Sequence, residues 1–204
     1  MTRRLPPPPG GLPLPEAGVA GLRVIELGLE HEALLQRFYD ANPYYFENIT
    51  GVPAPPNEAR EEILGELPAG WPYTKKWVLG LAATGGELAA QWNVVSDLLA
   101  PGVWHIGLFV LATSRHGSGE ARAMYDAVEN WCVRHGARWL RLGVVKGNDH
   151  AERFWRGRGF EYLRERGGIV MGPRTNTVRT FFKPLSGTRE EYLALVERDR
   201  AESD

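Results

Sequence analysis

Three apolar runs in close succession, then one long amphipathic helix and a fourth apolar run, limit what this chain can fold into. Runs 76–83, 87–96 and 103–112 are separated by Thr84-Gly85-Gly86 and by a loop around Pro101-Gly102, the spacing of an antiparallel meander. Residues 118–135 place Ala121, Met124, Tyr125, Val128 and Cys132 on one stripe and stop at Gly136, which predicts a helix with one buried face. Residues 138–145 return as a strand. A strand, a covering helix and a second strand in one sheet close by a right-handed crossover, so 103–112 and 138–145 become parallel neighbours. The expected fold is a mixed α/β (α+β) sheet, mostly antiparallel, with helices on its faces.

The rest of the chain fits around that unit. Residues 1–20 hold Pro6 to Pro9, Pro13 and Pro15 and read as an extended, poorly packed arm ahead of a domain over 21–184. A strand at 23–27 precedes a helix over 30–41 with Leu34, Leu35, Phe38 and Tyr39 at helical spacing, stopped by Asn42-Pro43, and Asn57 caps a helix to residue 66. Between these helices lie Tyr44, Tyr45 and Phe46 and a Pro-rich turn, so 42–73 reads as largely irregular. A short helix over 149–158 and a closing hairpin, 160–164 with 178–183 around a loop at 166–177, complete the sheet; 185–204 is a C-terminal helical extension.

Composition removes several function classes. There are 24 Lys+Arg against 25 Asp+Glu, a net charge of −1, which leaves no cationic surplus for binding nucleic acid by its phosphates. No run approaches the roughly 18 apolar residues of a membrane span, and the N-terminus has no apolar signal core. Cys132 is the single cysteine, and no Cys/His cluster has the spacing of zinc ligands, so neither a disulfide scaffold nor a metal site is expected. These features predict a cytoplasmic protein without nucleic-acid or membrane partners. Exposed sheet edges and the C-terminal segment leave room for a homodimer.

The chemistry lies between the strand ending at Ala112 and the long helix, in Thr113-Ser114-Arg115-His116-Gly117-Ser118-Gly119-Glu120-Ala121. Glycines at a helix N-terminus let backbone amides approach a phosphate, where unpaired N–H groups and the helix dipole favour an anion. A Walker loop would end in Gly-Lys-Ser/Thr, and a dinucleotide loop would carry glycine where this chain has Arg122.

His116 to Ala121 resembles the Gln/Arg-x-x-Gly-x-Gly/Ala acyl-CoA signature of the Gcn5-related N-acetyltransferases, with Gly119 and Ala121 in the diagnostic places and His116 replacing the usual Arg or Gln. Asn148-Asp-His-Ala151-Glu-Arg-Phe154-Trp155-Arg-Gly-Arg-Gly159-Phe160 is similar to that superfamily's second signature, Asn-x-x-Ala-x-x-Phe-Tyr-x-x-x-Gly-Phe. The resemblance covers about residues 22–183. It implies acetyl-CoA as donor and a parallel strand pair that splays to admit the pantetheine arm, which would hydrogen-bond backbone near Val110 and Leu111. The diphosphate would rest on the loop His116, Gly117, Ser118, Gly119, Glu120 and Ala121. Asn148 would hold the far arm of the cofactor, with Phe154 and Trp155 flanking its thiol end. The Glu120 carboxylate is unfavourable beside a diphosphate unless it faces solvent or is offset by Arg115, Arg122 or Arg153.

Transfer to an amine needs the free base, and a lysine-like ammonium has a pKa of about 10. In histone-type members of the superfamily the strand position eleven residues before the loop's first signature residue carries the catalytic glutamate; here it is His105, the first candidate base, with Asp97 second. Trp155 occupies the place of the tyrosine that often protonates the leaving thiolate, and an indole cannot deliver a proton in this pH range. A backbone N–H near Leu111 is the expected oxyanion donor. Tyr44, Tyr45, Trp92 and Asn93 are the candidates for an acceptor site receiving a small-molecule or protein amine. The function expected is direct N-acetyl transfer. The alternatives are a larger acyl-CoA donor, or a CoA-sensing module without turnover.

Overall fold

A computed structural model describes residues 12–200. Its strands are β1 (Leu22–Glu26), β2 (Lys75–Ala83), β3 (Leu88–Ser96), β4 (Val103–Leu111), β5 (Trp139–Val145), β6 (Glu161–Met171) and β7 (Arg174–Pro184), ordered β1-β2-β3-β4-β5-β7-β6 in one sheet. All neighbours are antiparallel except β4 and β5, as the crossover rule requires. The helices are α1 (Glu32–Ala41), α2 (Tyr44–Thr50), α3 (Glu58–Leu64), α4 (Glu120–Arg134), α5 (Asp149–Gly157) and α6 (Arg189–Leu195). Alternating side chains give the sheet two apolar faces. Leu79, Leu81, Trp92, Val94, Trp104 and Ile106 pack with Met124, Val128 and Trp131 of α4, while Val78, Ala82, Leu108 and Val110 pack with Leu35, Phe38 and Phe46 of α1 and α2. A third cluster joins Val103, Trp139 and Phe182 to Tyr192 of α6. Cys132 is buried within the α4 cluster.

The parallel pair is short. Val103↔Trp139 to Ile106↔Leu142 is its whole register, after which the strands part. A bulge beside that point explains why: Asn93 pairs with Leu108 and Val94 with Ile106, so Gly107 is the extra residue on β4. Asn93 pins it, because its Oδ1 accepts the Gly107 N–H (3.0 Å) and its Nδ2 donates to Glu62 Oε1 (2.8 Å), an oxygen 3.4 Å from Lys76 Nζ. A side chain at Gly107 would collide with that same Oδ1. Asn93→Ala is expected to cost about 1–3 kcal/mol, since the Gly107 N–H loses its acceptor and the Glu62 carboxylate loses one of its donors. Thermal melting reads this as a fall of several degrees; an unchanged melting temperature would mean that the bulge holds without Asn93.

Three expectations change. Residues 44–50 form α2, where irregular chain was expected, because seven residues are too few to show a helical period and packing of Phe46 on Tyr39 (centroids 4.9 Å apart) decides the conformation. The closing hairpin runs through the expected loop 166–177 and turns at Gly172-Pro173, its polar, exposed residues giving no apolar alternation to detect. The arm over 12–20 lacks regular structure and is nevertheless packed: Leu12, Leu14, Ala17 and Val19 lie on the α4 core, and Trp131 Nε1 donates to Pro13 O. Residues 1–11 lie outside the described residues.

Candidate functional site

Where β4 and β5 diverge, a cleft of about 580 Å³ opens through the sheet, with the loop before α4 at one end and α2, Trp71 and the β6–β7 hairpin around the other. The loop is built to leave amides bare. Gly117 (φ +79°) and Gly119 (φ +85°) take left-handed conformations, and nothing lies within 4 Å of where either Cβ would stand. Ser118 N and Glu120 N are bonded to Arg115 O and Ser118 Oγ, whereas the amides of Gly117, Gly119 and Ala121 have no acceptor among the described residues. Three bare amides at the start of a 15-residue helix suit a diphosphate. The Glu120 carboxylate is held by Arg115 Nη1 at 2.9 Å to each oxygen, so of the three arginines considered Arg115 neutralises it; the side chains of Glu120 and Ser118 are outside the cleft lining.

His116 ties this loop to the sheet. Its Nε2 lies 3.1 Å from Leu111 O, and because a carbonyl only accepts, Nε2 carries the proton. Its ring stands between Tyr44 and His150, each centroid 6.5 Å away. Asn42 binds the same region from the end of α1, accepting the Thr113 N–H (2.7 Å) and donating to Phe38 O (2.8 Å).

The bare edge of β4 is displaced by one residue from expectation. Ala112 N donates to Ala89 O across β3, and by alternation Val110 pairs with Gln91 while Leu111 and Phe109 turn their N–H groups to the gap. Val110 lines the cleft, but its N–H points to β3, and Phe109 takes the backbone role that Val110 was expected to share with Leu111. Asn148 caps α5 through Oδ1 to Ala151 N (3.1 Å) and lines the cleft. Phe154 and Trp155 line it too, packed on Phe109 with centroids at 6.1 and 5.4 Å.

At the end of the cleft away from the loop His105 stands opposite Arg141 in the parallel register. The Arg141 side chain, 6 % exposed, donates through Nε and Nη2 to the two oxygens of Asp199 (2.7 and 2.9 Å), and the Tyr192 hydroxyl donates to the same carboxylate (2.5 Å). Burial raises the Asp199 pKa, but the Arg141 hydrogen bonds and charge outweigh it and hold the carboxyl below its ordinary range. Arg141 Nη1 is 3.4 Å from His105 Nδ1, and a guanidinium only donates, so Nδ1 accepts and Nε2 bears the hydrogen. Burial first, then the Arg141 charge, lowers the His105 pKa to about 3. These observations weigh against His105 as the base: its Nδ1 lone pair is engaged by Arg141, its Nε2 carries a hydrogen, and burial beside a guanidinium disfavours the protonated ring.

The other candidates divide plainly. Tyr44 and Tyr45 line the cleft with Asn48 and Ile49, and burial, with Glu62 and Glu58 nearby, keeps the Tyr45 hydroxyl protonated. Asp97 is corrected from a catalytic to a turn residue: it sits at φ +52°, accepts from Thr74 Oγ1 and Gly102 N (2.8 Å each), and is not in the lining. Trp92 has no exposed surface and is core, because its face of β3 lies under α4; Asn93 faces the other way and holds the bulge. Neither reaches the cleft. The hairpin is tied to α2 at this end of the cleft, with Arg174 Nη1 donating to Glu47 O and Asn48 O (3.2 and 3.1 Å) and Asn176 Nδ2 to Ile49 O (2.9 Å).

Asn42, Phe109, Arg141, His150, Arg166 and Asp199 were not anticipated. Only Arg141 had a signal, since a charge inside the apolar run Trp139–Val145 must find a buried partner. No Asp or Glu lines the cleft among the described residues.

The Acetyltransferase (GNAT) family model matches residues 37–160. No curated protein matches the chain. Among solved structures, an acetyltransferase from Thermus thermophilus is 20% identical over 82% of this chain and 99% of its own, with a TM-score of 0.63. A GCN5-related N-acetyltransferase from Kribbella flavida is 19% identical over 81% and 98% (TM-score 0.54). The ribosomal-protein-S18-alanine N-acetyltransferase from Escherichia coli is 12% identical over 83% and 97% (TM-score 0.59). At these identities the likeness is one of fold.

Proposed function

The chain belongs to the GNAT acetyltransferase family, whose model spans more than half of it, and from that premise we propose that it moves an acetyl group from acetyl-CoA to the amine of a small molecule by direct transfer. The observation that carries this reading is the row of bare amides at Gly117, Gly119 and Ala121 beside a gap between two parallel strands. Acetyl-CoA, when bound, supplies an acyl group already activated as a thioester. The loop amides would hold its diphosphate, and the N–H groups of Phe109 and Leu111 are turned toward the gap as donors to a carbonyl oxygen. The hairpin tied to α2 covers the acceptor end, which favours a small molecule over a polypeptide.

The lining holds no carboxylate base, and the position of the usual tyrosine acid carries a side chain that cannot protonate the thiolate. Trp155 stands where a tyrosine acid would be, and a thiol of pKa about 8.5 leaves without one. Without a carboxylate and with arginines in its lining, the cleft disfavours an ammonium ion, so the amine enters as the free base. The logarithm of kcat/KM should therefore rise with a slope near one from pH 6 to the acceptor's own pKa, about 10 for a lysine-like amine, with no inflection near 6.5. His105→Ala should leave that profile's shape unchanged. An inflection near 6.5 that vanishes in His105→Ala would restore the histidine as base.

Titration calorimetry tests the premise. Micromolar binding of acetyl-CoA, with ADP much weaker, is the expected result; absence of binding to the folded protein would reject the transferase reading. Binding without turnover of any amine would favour a CoA-sensing role, the reading that Trp155 supports.

A further inference from the structure

Resting on the transferase reading, we propose that the acceptor is a primary amine joined by an apolar spacer to an anionic group, a carboxylate or a phosphate, and that Arg166 reads that anion. Of the three arginines in the cleft lining, Arg115 is held by Glu120 and Arg141 by Asp199, while Arg166 has no ion pair among the described residues. Its neighbours on the hairpin are committed: Arg179 to Glu152 and Glu165, and Arg174 to the carbonyls of α2. Free of these duties, Arg166 faces the cleft from the rim.

The sheet register shows where it stands. Arg166 pairs with Val178 on β7, which pairs with Val145 on β5, so it shares a face with Val178 and Thr180 and lies two strand spacings, roughly 10 Å, from the gap's edge. Just beyond it β6 carries one extra residue, Arg166 and Ile169 facing Val178 and Asn176, with Gly168 at φ +74°. That bulge turns the distal hairpin toward α2. Between the rim and the gap the surface is apolar and aromatic, from Tyr44, Ile49, Trp71, Met171 and Val178. A spacer fits there, and the anion's charge meets the arginine of the lining that no carboxylate holds. A second ammonium would meet no carboxylate at all, which selects against diamines.

The test uses four amines on one six-carbon spacer, ending in carboxylate (6-aminohexanoate), phosphate (6-aminohexyl phosphate), methyl (hexylamine) or ammonium (1,6-diaminohexane). Each is titrated by calorimetry into the protein saturated with CoA, and each is assayed with acetyl-CoA. At least one anionic amine should bind ten or more times more tightly than hexylamine, with the diamine weakest, and the carboxylate and phosphate arms decide between the two anions. Arg166→Gln, at an exposed strand position, should bring the anionic amine down to the affinity of hexylamine without changing the melting temperature or acetyl-CoA binding. Equal or tighter binding of hexylamine or the diamine, no binding by any of the four, or an anion preference that survives Arg166→Gln would each overturn the proposal. Acetylation of uncharged or dicationic amines alone would sink this inference and leave the transferase reading standing, whereas loss of acetyl-CoA binding would sink that reading.

Discussion

Gly119→Glu should weaken acetyl-CoA binding by at least 100-fold while the protein still folds. The residue is the N-cap of α4 at φ +85°, its own amide is bare, and open cleft lies where a Cβ would go. A glutamate there brings a carboxylate against the diphosphate, and its side chain fills the space that the ligand needs. A 100-fold loss corresponds to about 2.7 kcal/mol, well within what one lost charge-assisted contact and one added repulsion supply. The left-handed backbone adds a separate cost of roughly 1–2 kcal/mol in stability, a melting shift of a few degrees. Gly119→Ala separates the two effects, because it carries the same backbone strain without the charge and should lose far less affinity. If Gly119→Glu bound acetyl-CoA like the parent, the diphosphate would have to lie elsewhere.

Asp199→Ala should be the most destabilising single change at the acceptor end. The carboxylate is 1 % exposed and bridges Arg141 and Tyr192, so its removal strands a buried guanidinium. Breaking one side of such a pair costs about 3–5 kcal/mol, which at this chain length lowers the melting temperature by roughly 6–20 °C. Replacing both partners, Arg141→Met with Asp199→Leu, should cost less than Asp199→Ala alone, because no unpaired charge is left behind. The pH dependence follows from the lowered Asp199 pKa. A carboxyl whose folded pKa is below its unfolded value contributes fully above about pH 4 and loses that contribution as pH falls through the folded pKa. The stability gap between the parent and Asp199→Asn should therefore be constant from pH 5 to 8 and shrink in acid. A gap under about 1 kcal/mol at pH 7 would mean that residues 197–199 do not dock on β5 in solution.

In the half of the cleft proposed for the cofactor, the local structure was legible because its signals are local. The glycines of the loop, the stripe of α4 and the Asn148-to-Phe160 segment each lie within about 20 residues, and their spacing alone implies a strand, a bare helix N-terminus and a short capped helix. The acceptor half was not. His105 looked like a base because an isolated histidine has a pKa near 6.5, and only its contact with Arg141, 36 positions away, shows that Nδ1 is engaged and that Nε2 carries the hydrogen, with burial and the guanidinium charge lowering its pKa. Asn93 looked like a polar group pointing into a pocket, and only the bulge at Gly107 shows what it holds.

By itself, then, the order of apolar runs and the crossover rule determined a mixed sheet with one parallel pair, and the loop composition determined a helix N-terminus with bare amides at 117–121. Tertiary structure alone decided the rest: that the parallel pair parts after Ile106 and Leu142, that Phe109 rather than Val110 presents its backbone, and that Asp199 crosses 58 positions to neutralise Arg141. The reason is physical. Backbone periodicity and capping depend on neighbours a turn or a strand away, whereas the protonation, hydrogen-bonding role and accessibility of a side chain depend on which distant groups share its buried surroundings.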